Sequence, residues 1–384
     1  AGLGLDEVAG VAALEVDGVR HDHAIVVDAR AHTWFFPAAT APTQFVFDPG
    51  RTLLAAVDTD KSPRLWIAEL AGAALASDRR HAARALGRIA GPQAQAALVT
   101  ALAGDAFWAV RGAAAAALAV IGNDGARDAL VRATITEAHP RARRAIVRAL
   151  GEFRRDVKVA AVLADLVERG DASYFVEAEA CLALGKARAP QAPTLLRQAA
   201  TRPSFTDVIR QHAYRGLAEA RDDAALDLLV AGSRWGTPSG GRRAALTALA
   251  SLGRGRRDRD AVRAREHVEE LLRDRDFRVQ AAALEALSTW GDRAAISAIE
   301  QLLARELDGR LRRRGKEIVR DLAEATAGSD EVARLRDDLV GLRAVTASLR
   351  ERLDKLDARA AAPPPRRRVP ARKRAPRPAR PPRR

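Results

Sequence analysis

The strongest constraint on the fold is a leucine that recurs about every 33 residues, at the end of a stretch rich in small residues. Successive separations are 32, 32, 34, 33, 32 and 38 residues, and the longest one contains the charged segment 253–258. The leucines are Leu86, Leu118, Leu150, Leu184, Leu217, Leu249 and Leu287. A unit of this length holds two short helices, which bury their apolar faces only by stacking on neighbouring units. The period therefore predicts an array of helical pairs over residues 51–328.

An arginine stands seven residues before five of these leucines, and an aspartate precedes several of the arginines. The residues of this predicted ladder are Asp78, Arg79, Asp105, Arg111, Arg143, Asp207, Arg210, Arg242 and Asp276. The pattern resembles the short HEAT repeats of phycobilisome-lyase-like proteins, in which an Asp and an Arg of each unit form a ladder. The resemblance implies a structural role for the ladder, between repeats that small residues allow to approach closely.

Residues 1–50 have the pattern of β-strands. Four short apolar or aromatic runs, at 11–16, 24–27, 33–36 and 44–47, are separated by turn residues. Four strands leave two exposed edges that need cover. We therefore expect a partial β-sandwich that continues in an upstream part of the protein, and the complete absence of methionine favours the same interpretation.

Residues 329–358 carry a heptad pattern over four heptads. The apolar positions of the seam are Val332, Leu335, Leu339, Leu342, Leu349, Leu353 and Leu356, with Thr346 as its polar member. Leucine occupies every d position, and three of the four g–e pairs expected in a parallel pair are opposite in charge. The pattern favours a coiled-coil homodimer. The alternative is a helix that folds back and caps the array.

The last segment, residues 359–384, alternates proline, alanine and arginine. Residues 363–384 contain ten basic residues and no acidic one, out of a formal net charge of +15. Such a segment cannot bury a core and is predicted to be disordered. Its predicted polyanion-binding residues are Arg366, Arg367, Arg368, Arg372, Lys373 and Arg374. The alternative is a tail that only aids solubility.

The predicted fold class is therefore mainly α. A HEAT-repeat α-solenoid is preceded by a small, partial β-sandwich and followed by a coiled-coil helix and a disordered basic tail.

The sequence offers no catalytic residue, cofactor-binding motif or metal ligand set. His267 has no second histidine four residues on, so it does not form the zinc pair of an H-E-x-x-H helix. His21 and His23 lie on one face of a predicted strand, with His32 nearby. A three-histidine metal site is conceivable there, but solvent-facing positions are the simpler interpretation.

Cysteine content and hydrophobicity exclude further classes. Cys181 is the single cysteine, which excludes a disulfide framework and a cysteine-based zinc cluster. The longest apolar run, residues 113–121, is too short to span a membrane. No segment resembles a signal peptide. We expect a cytoplasmic protein.

The junction between the strands and the helices resembles a specific family. Phe45-Val46-Phe47-Asp48-Pro49-Gly50 is followed by Leu53-Leu54, Val57, Lys61-Ser62 and Trp66, before the first repeat opens at Asp78-Arg79. This is similar to M1-family metallopeptidases, the aminopeptidase N-like enzymes, and especially to their HEAT-containing relatives, including the branch related to the transcription factor subunit TAF-two. In that family a strand ending in Phe-Asp-Pro-Gly leads from a β-sandwich domain into a helical C-terminal domain.

The resemblance covers about residues 10–325 and lacks the family's catalytic parts. The Gly-Ala-Met-Glu-Asn motif and the H-E-x-x-H zinc helix are absent from this sequence. The resemblance thus implies the non-catalytic C-terminal part of a zinc aminopeptidase, whose zinc belongs to a missing upstream catalytic domain. The helical part would then cover the active site and limit substrate size.

The coiled coil and the basic tail depart from the M1 pattern, and two other functions remain open. One is a HEAT-repeat scaffold for protein interactions, dimerised by its coiled coil, with no enzymatic parent. The other is nucleic-acid binding through the tail.

Overall fold

The computed structural model describes residues 8–324, 337–346 and 348–349. The chain divides into two compact units, one ending at Glu324 and one beginning at Ala325. In the first unit, a three-stranded sheet is followed by sixteen helices. In the second unit, residues 337–346 and 348–349 are helical. The predicted fold class is confirmed for the described residues, since a small sheet precedes a long series of helical pairs.

The sixteen helices form eight hairpins, each made of a first and a second helix. The first helices are α1 (Pro63–Gly72), α3 (Pro92–Gly104), α5 (Asp124–Thr136), α7 (Val157–Arg169), α9 (Ala192–Ala199), α11 (Leu226–Ser233), α13 (Arg259–Glu270) and α15 (Ile296–Arg305). The second helices are α2 (Ala76–Ile89), α4 (Trp108–Ile121), α6 (Pro140–Leu150), α8 (Tyr174–Lys186), α10 (Val208–Ala220), α12 (Ser239–Gly253), α14 (Phe277–Trp290) and α16 (Gly309–Glu324). Short connections between packed helices make each pair antiparallel.

Local sequence explains where several helices begin and end. The side chains of Asn123, Asp156 and Asp258 accept hydrogen bonds from backbone N–H groups in the first turns of α5, α7 and α13. Gly122 and Gly291 end α4 and α14 in the left-handed conformation. The repeat boundaries are therefore set by ordinary capping residues.

The repeating leucines form the centre of the array, and each of the seven is fully buried. Small residues next to them let the second helices pack closely. A Cβ atom added to Gly87 would lie 2.8 Å from the Cβ of Ala117 on the next second helix. The second helices approach one another more closely than the first helices do.

The sheet consists of β1 (Val8–Val16), β2 (Val19–Val27) and β3 (Gln44–Phe47), in the order β2-β1-β3 with antiparallel pairing. One face carries a small core in which Ala12, Leu14 and Ile25 are buried against Phe36, Phe45 and Phe47. On the opposite face, Ala13 pairs with Val46 and both side chains are buried.

The fourth predicted strand, residues 33–36, is irregular. Its Phe36 ring lies over the sheet with its centroid 4.6 Å from that of His23. The segment thus covers a face of the sheet instead of extending an edge. Of this run only Phe36 is partly buried, while Phe35 is 90% exposed. Pro37, which cannot donate a ladder hydrogen bond, directly follows it.

The sheet is joined to the first repeat by buried polar contacts. Lys61 forms an ion pair with Glu69 and donates to the Phe45 carbonyl at 2.6 Å. Burial lowers the pKa of Lys61 and raises the pKa of Glu69. The carboxylate of Asp48 accepts from the N–H groups of Thr52 and Leu53, both at 3.0 Å. These contacts connect β3 to α1 through residues 48–69.

Candidate functional site

The arginines of the predicted ladder reach forward to the next repeat. Arg79 binds the Asp105 carboxylate with two N–H groups, at 2.7 and 3.1 Å. Arg143 binds Asp171 in the same way, at 2.8 and 2.9 Å. Each arginine pairs with an acid 26 or 28 residues downstream. The ladder therefore links neighbouring repeats rather than residues within one turn.

Arg111 occupies the same place in its repeat but pairs with a residue that the sequence pattern did not single out. It binds Glu137 at 2.7 and 2.9 Å and donates to the Asp105 backbone carbonyl at 2.7 Å. The aspartate before an arginine thus offers its carbonyl to that arginine, while its carboxylate serves the arginine of the preceding repeat.

Each acid of the ladder also caps the following helix. Asp105 accepts from the Phe107 N–H and Asp171 from the Ser173 N–H, both at 2.8 Å. One carboxylate thus satisfies both an arginine and a backbone donor at a helix start. This dual bonding accounts for the ladder as a structural element.

Four other predicted ladder residues have different partners. Asp78 accepts from the Gly50 N–H at 3.2 Å, and so belongs to the junction with the sheet. Arg210 forms an ion pair with Asp207 at 3.2 Å, three residues earlier in its own repeat. Asp276 accepts from the N–H of Arg278 at the start of α14.

Arg242 is fully buried and, like Arg79 and Arg143, pairs with an acid of the next repeat. It binds the carboxylate of Asp274 and donates to the Ser233 carbonyl at 2.8 Å. Asp274 caps the next turn by accepting from the Asp276 N–H at 2.9 Å. The ladder acid of this repeat is therefore Asp274, two residues before the one expected.

Two further pairs of the ladder, which we call rungs, were not found by the sequence pattern because their residue types differ. The position seven residues before Leu184 is Glu177, which is buried and paired with Arg202 at 2.6 Å, so the charges of this rung are reversed. The corresponding position before Leu287 is Gln280, which donates to Glu306 at 3.2 Å. Counting seven residues back from each leucine, whatever the residue type, would have found both.

No group of three or more histidine, cysteine, aspartate or glutamate side chains within the described residues is arranged to hold a metal ion. His21 and His23 lie on the same face of β2, as expected, but His23 packs on Phe36. His32 lies 2.7 Å from Asp28 and stacks on Trp34. The three rings therefore have separate partners.

A serine, a histidine and a glutamate come together at the end of α11 without forming a nucleophilic site. The Ser233 hydroxyl lies 2.8 Å from His267 Nε2, and His267 Nδ1 lies 3.5 Å from Glu270. The Ser233 hydroxyl donates to the Val230 carbonyl and is fully buried. Its single proton is thus committed to the backbone, and no substrate can reach the oxygen.

Cys181 is fully buried on α8, and burial raises the pKa of its thiol to about 12. A thiol with so high a pKa is unreactive at neutral pH. Cys181 is therefore a packing residue of α8.

Exposed aromatic side chains cluster at one edge of the array, where first helices connect to second helices. This aromatic edge consists of Phe107, Tyr174, Phe175, Phe205, Trp235 and Phe277. Trp235 and Phe205 are the most exposed, at 77% and 64%. Arginines lie against several of the rings, with Arg310 4.8 Å from the centroid of Phe277 and Arg144 5.6 Å from that of Phe175. No sequence motif identified this edge, because the aromatic positions vary by several residues between repeats.

The predicted coiled-coil seam is described only in part. Leu339, Leu342 and Leu349 lie in the helical residues of the second unit, and their side chains are between 50% and 63% exposed. Val332, Leu335, Leu353 and Leu356 lie outside the described residues, as do the tail residues Arg366, Arg367, Arg368, Arg372, Lys373 and Arg374. Dimerisation and polyanion binding by these residues stay predictions.

Comparison with known families supports the interpretation of the helical pairs. A family model for HEAT repeats matches residues 63–151, 96–175 and 130–218 in overlapping windows. The helical region is built of HEAT repeats. The predicted resemblance to HEAT repeats is thereby confirmed, while membership of the M1 family stays a prediction. No curated protein matches the sequence significantly.

Several solved structures share the helical-repeat architecture. The complex of CpcE and CpcF of phycocyanin lyase from Nostoc has 22% identity, covering 71% of this chain and 98% of that chain, with a TM-score of 0.43. Aminopeptidase A from Legionella pneumophila has 12% identity, covering 82% of this chain and 45% of that chain, with a TM-score of 0.49. Human deoxyhypusine hydroxylase has 20% identity, covering 68% and 95%, with a TM-score of 0.31. Similarity at this level extends no further than the fold.

Proposed function

We propose that the HEAT repeats form a non-catalytic recognition module that binds a protein partner along the aromatic edge. The observation that carries this proposal is the row of exposed rings in five of the six repeats from Phe107 to Phe277. Aromatic residues and arginine are the types enriched at the energetic centres of protein interfaces. Rings placed on stacked helical pairs lose little conformational freedom on binding, which favours affinity.

The arginines beside the rings add to this argument. Arg242, held by Asp274, lies 5.8 Å from the centroid of Trp235. Buried Arg242, whose charge is neutralised by Asp274, thus supports the most exposed ring of the edge from the inside. A partner with apolar side chains would match this arrangement.

Substitution of two rings tests the edge. A bait carrying Phe205→Ser and Trp235→Ser should lose a partner that the wild-type chain retains from an extract of the source organism. The matched control is Val120→Ser with Val157→Ser, because both valines are exposed, at 68% and 83%, outside the aromatic edge. Loss of one or two central rings of an interface weakens binding by roughly thirtyfold or more. Equal retention by both double variants would contradict the proposal.

A finer proposal concerns a contact within the parent polypeptide. We infer from the junction that the chain follows the catalytic domain of an M1-type zinc aminopeptidase, joined through the sheet. The contacts of Asp48 and the Lys61–Glu69 pair support this inference, because they would hold an upstream domain at a fixed position relative to the repeats. The repeats would cover the active site and limit substrate size, while zinc bound upstream would activate the attacking water.

Two measurements test this finer proposal. The chain alone should not cleave aminoacyl-naphthylamides with or without added zinc, and zinc-dependent turnover would refute a non-catalytic role. The coding sequence upstream of Ala1 should contain an in-frame H-E-x-x-H motif with a distal glutamate. A start codon immediately before Ala1 would instead favour an independent scaffold.

The remaining partners are proposals from the sequence. They are a second copy of the chain, bound through residues 329–358, and a polyanion, bound by the tail. None of the helices in the described part of the chain combines the length and hydrophobicity needed to cross a bilayer. A cytoplasmic location stays a prediction.

A further inference from the structure

Arginines recur at the opposite edge of the array, where each second helix ends and the chain turns to the next repeat. Arg155, Arg188, Arg221 and Arg254 follow α6, α8, α10 and α12, and consecutive members are 33 residues apart. They form what we name the arginine row. Arg188 and Arg221 each lie four residues after the repeating leucine of their unit, and Arg155 and Arg254 lie five residues after theirs.

Three members of the row have an unfavourable backbone conformation. Arg155, Arg188 and Arg221 have φ angles of 59°, 52° and 58°. A residue with a Cβ atom in this region costs about 1 kcal/mol relative to glycine. The equivalent loops after α4 and α14 contain Gly122 and Gly291, with φ angles of 67° and 76°. Gly122 and Gly291 lie four residues after the repeating leucine, as Arg188 and Arg221 do, so glycine is sufficient at this position of the turn and an arginine is not needed for it.

The packing of the second helices brings the row together. A Cβ atom on Gly185 would lie 2.1 Å from the Gly216 carbonyl oxygen, so α8 and α10 touch directly near their C-terminal ends. The Arg155 N–H donates to the Ala187 carbonyl at 2.7 Å, which joins two successive loops. The arginine side chains consequently start from neighbouring backbone positions.

Like charges accumulate in this region. Burial and the charges of Arg221, Arg154 and Arg155 lower the pKa of Arg188, which Glu219 only partly counteracts. Within the described residues, the side chains of Arg154, Arg155 and Arg188 take part in no ion pair or side-chain hydrogen bond. Repulsion between them is unfavourable in the unliganded protein.

The acids nearest in sequence are engaged elsewhere. Asp156 pairs with Arg127, Asp222 with Arg197, and Glu152 with Lys186. The guanidinium groups of Arg155 and Arg188 are thus left for a ligand from solution.

The favourable interaction of a cation with a helix C-terminus is the simplest structural explanation of the row. It is worth about 0.3–1 kcal/mol per helix at an exposed site. That gain is no larger than the cost of the left-handed backbone, and mutual repulsion is added to the cost. Selection for helix stability alone would place glycine here, as it does after α4 and α14.

We propose that the arginine row binds the phosphate backbone of a double-stranded nucleic acid. Guanidinium groups match phosphate oxygens in pairs, and neighbouring helical repeats are spaced by about 8–10 Å. The arginines of four consecutive repeats are thus spread over roughly 30 Å, close to one turn of duplex DNA, and Arg155 and Arg188 are the two whose side chains form no ion pair within the described residues. The exposed aromatic side chains of the described repeats lie at the other edge, so bases are not stacked here.

The predicted interaction is independent of base sequence, because no helix or strand presents the arginines to base edges. The arginine row is also separate from the aromatic edge. If the row does not bind DNA, the proposal of a protein partner at the aromatic edge is unaffected.

The test uses the full chain with Arg155→Gly, Arg188→Gly and Arg221→Gly. All proteins carry a neutralised tail, with Arg366, Arg367, Arg368, Arg372, Lys373 and Arg374 changed to Gln. Binding to a fluorescein-labelled 30-base-pair DNA duplex is measured by anisotropy at several salt concentrations. We expect the triple variant to bind at least about tenfold more weakly, and its salt slope to fall by about three. Its midpoint of urea unfolding should be unchanged or higher, since glycine relieves the backbone strain.

A matched control carries Arg64→Gln, Arg132→Gln and Arg243→Gln, which remove the same charge from exposed positions on three helices. It should bind duplex DNA within about threefold of the parent protein. Equal weakening by both triple variants would overturn the proposal, because net charge alone would then explain binding. A lower urea midpoint with unchanged DNA binding would assign the row to helix capping.

Binding of two other polyanions, a single-stranded oligonucleotide and poly-glutamate, is measured in the same way. Tighter binding of a single-stranded oligonucleotide of the same length would overturn the duplex assignment. Poly-glutamate that binds through the row while duplex DNA does not would show an acidic protein to be the ligand instead.

Discussion

Replacement of Arg143 by methionine should measure the contribution of one rung to the stability of the array. Arg143 makes two hydrogen bonds to Asp171, at 2.8 and 2.9 Å, and donates to the carbonyls of Glu137 and Ala138 at 2.9 and 3.0 Å. Methionine keeps the apolar stem but leaves the Asp171 carboxylate, only 9% exposed, without its cation. The two carbonyls at the end of α5 also lose their donor.

The expected decrease in the free energy of unfolding follows from how deeply the ion pair is buried. Breaking a buried ion pair costs about 3–5 kcal/mol, and the 16% exposure of the Arg143 side chain places this rung at the lower end. We expect the free energy of unfolding to fall by about 3 kcal/mol near neutral pH. Urea denaturation followed by circular dichroism measures this quantity, and Arg132→Met, at an exposed position of α5, is the control.

The pH dependence gives an independent check. Burial would raise the pKa of Asp171, but hydrogen bonds from Arg143 and from the Ser173 N–H lower it below the ordinary value of 3.8. The ionised carboxylate therefore stabilises the folded state above pH 3.8, and this contribution is lost as pH falls through the lower, folded-state pKa. The difference between wild type and Arg143→Met should be constant near neutral pH and shrink in acid, first as Asp171 of the variant, whose pKa burial raises, takes up its proton, and then as the wild-type pair is lost. A loss no larger than that of Arg132→Met, or one independent of pH, would refute the ladder as a stabilising contact.

Three further outcomes are expected. Gly185→Ala should lower the free energy of unfolding by about 3 kcal/mol or more, because the new Cβ would lie 2.1 Å from the Gly216 carbonyl oxygen; a normal urea midpoint would contradict this close approach. Cys181 should react with a thiol reagent only in denaturant, since burial raises its pKa to about 12; rapid reaction of the native protein would show that the helix opens. Light scattering should give a dimer for residues 1–358 and a monomer for residues 1–328, and two monomers would remove the coiled-coil interpretation.

The sequence determined the helical array because its signal is local and repeated. A buried leucine must recur once per helical pair wherever identical packing recurs, so Leu86, Leu150 and Leu249 mark the repeats without any knowledge of contacts. Capping residues such as Asn123 and Asp156 act on their own helix, so they too can be identified from the sequence.

The partners of the ladder could not be obtained in this way. Arg79 pairs with Asp105, 26 residues away, and that distance depends on the length of each loop and on how the repeats stack. The reversed rung of Glu177 and Arg202 shows that the fold requires opposite charges at the two positions, whichever residue carries each charge. Residue type at a single position therefore does not predict the pair.

Tertiary structure alone decided which surfaces are exposed and which backbone conformations are strained. The 33-residue spacing of Arg155, Arg188 and Arg221 is visible in the sequence, but their positive φ angles and the contact between Gly185 and Gly216 are not. Those features depend on how closely the second helices pack, a property of the assembled array. Sequence periodicity thus specifies the repeating unit, whereas the chemistry of each edge emerges only when the units are stacked.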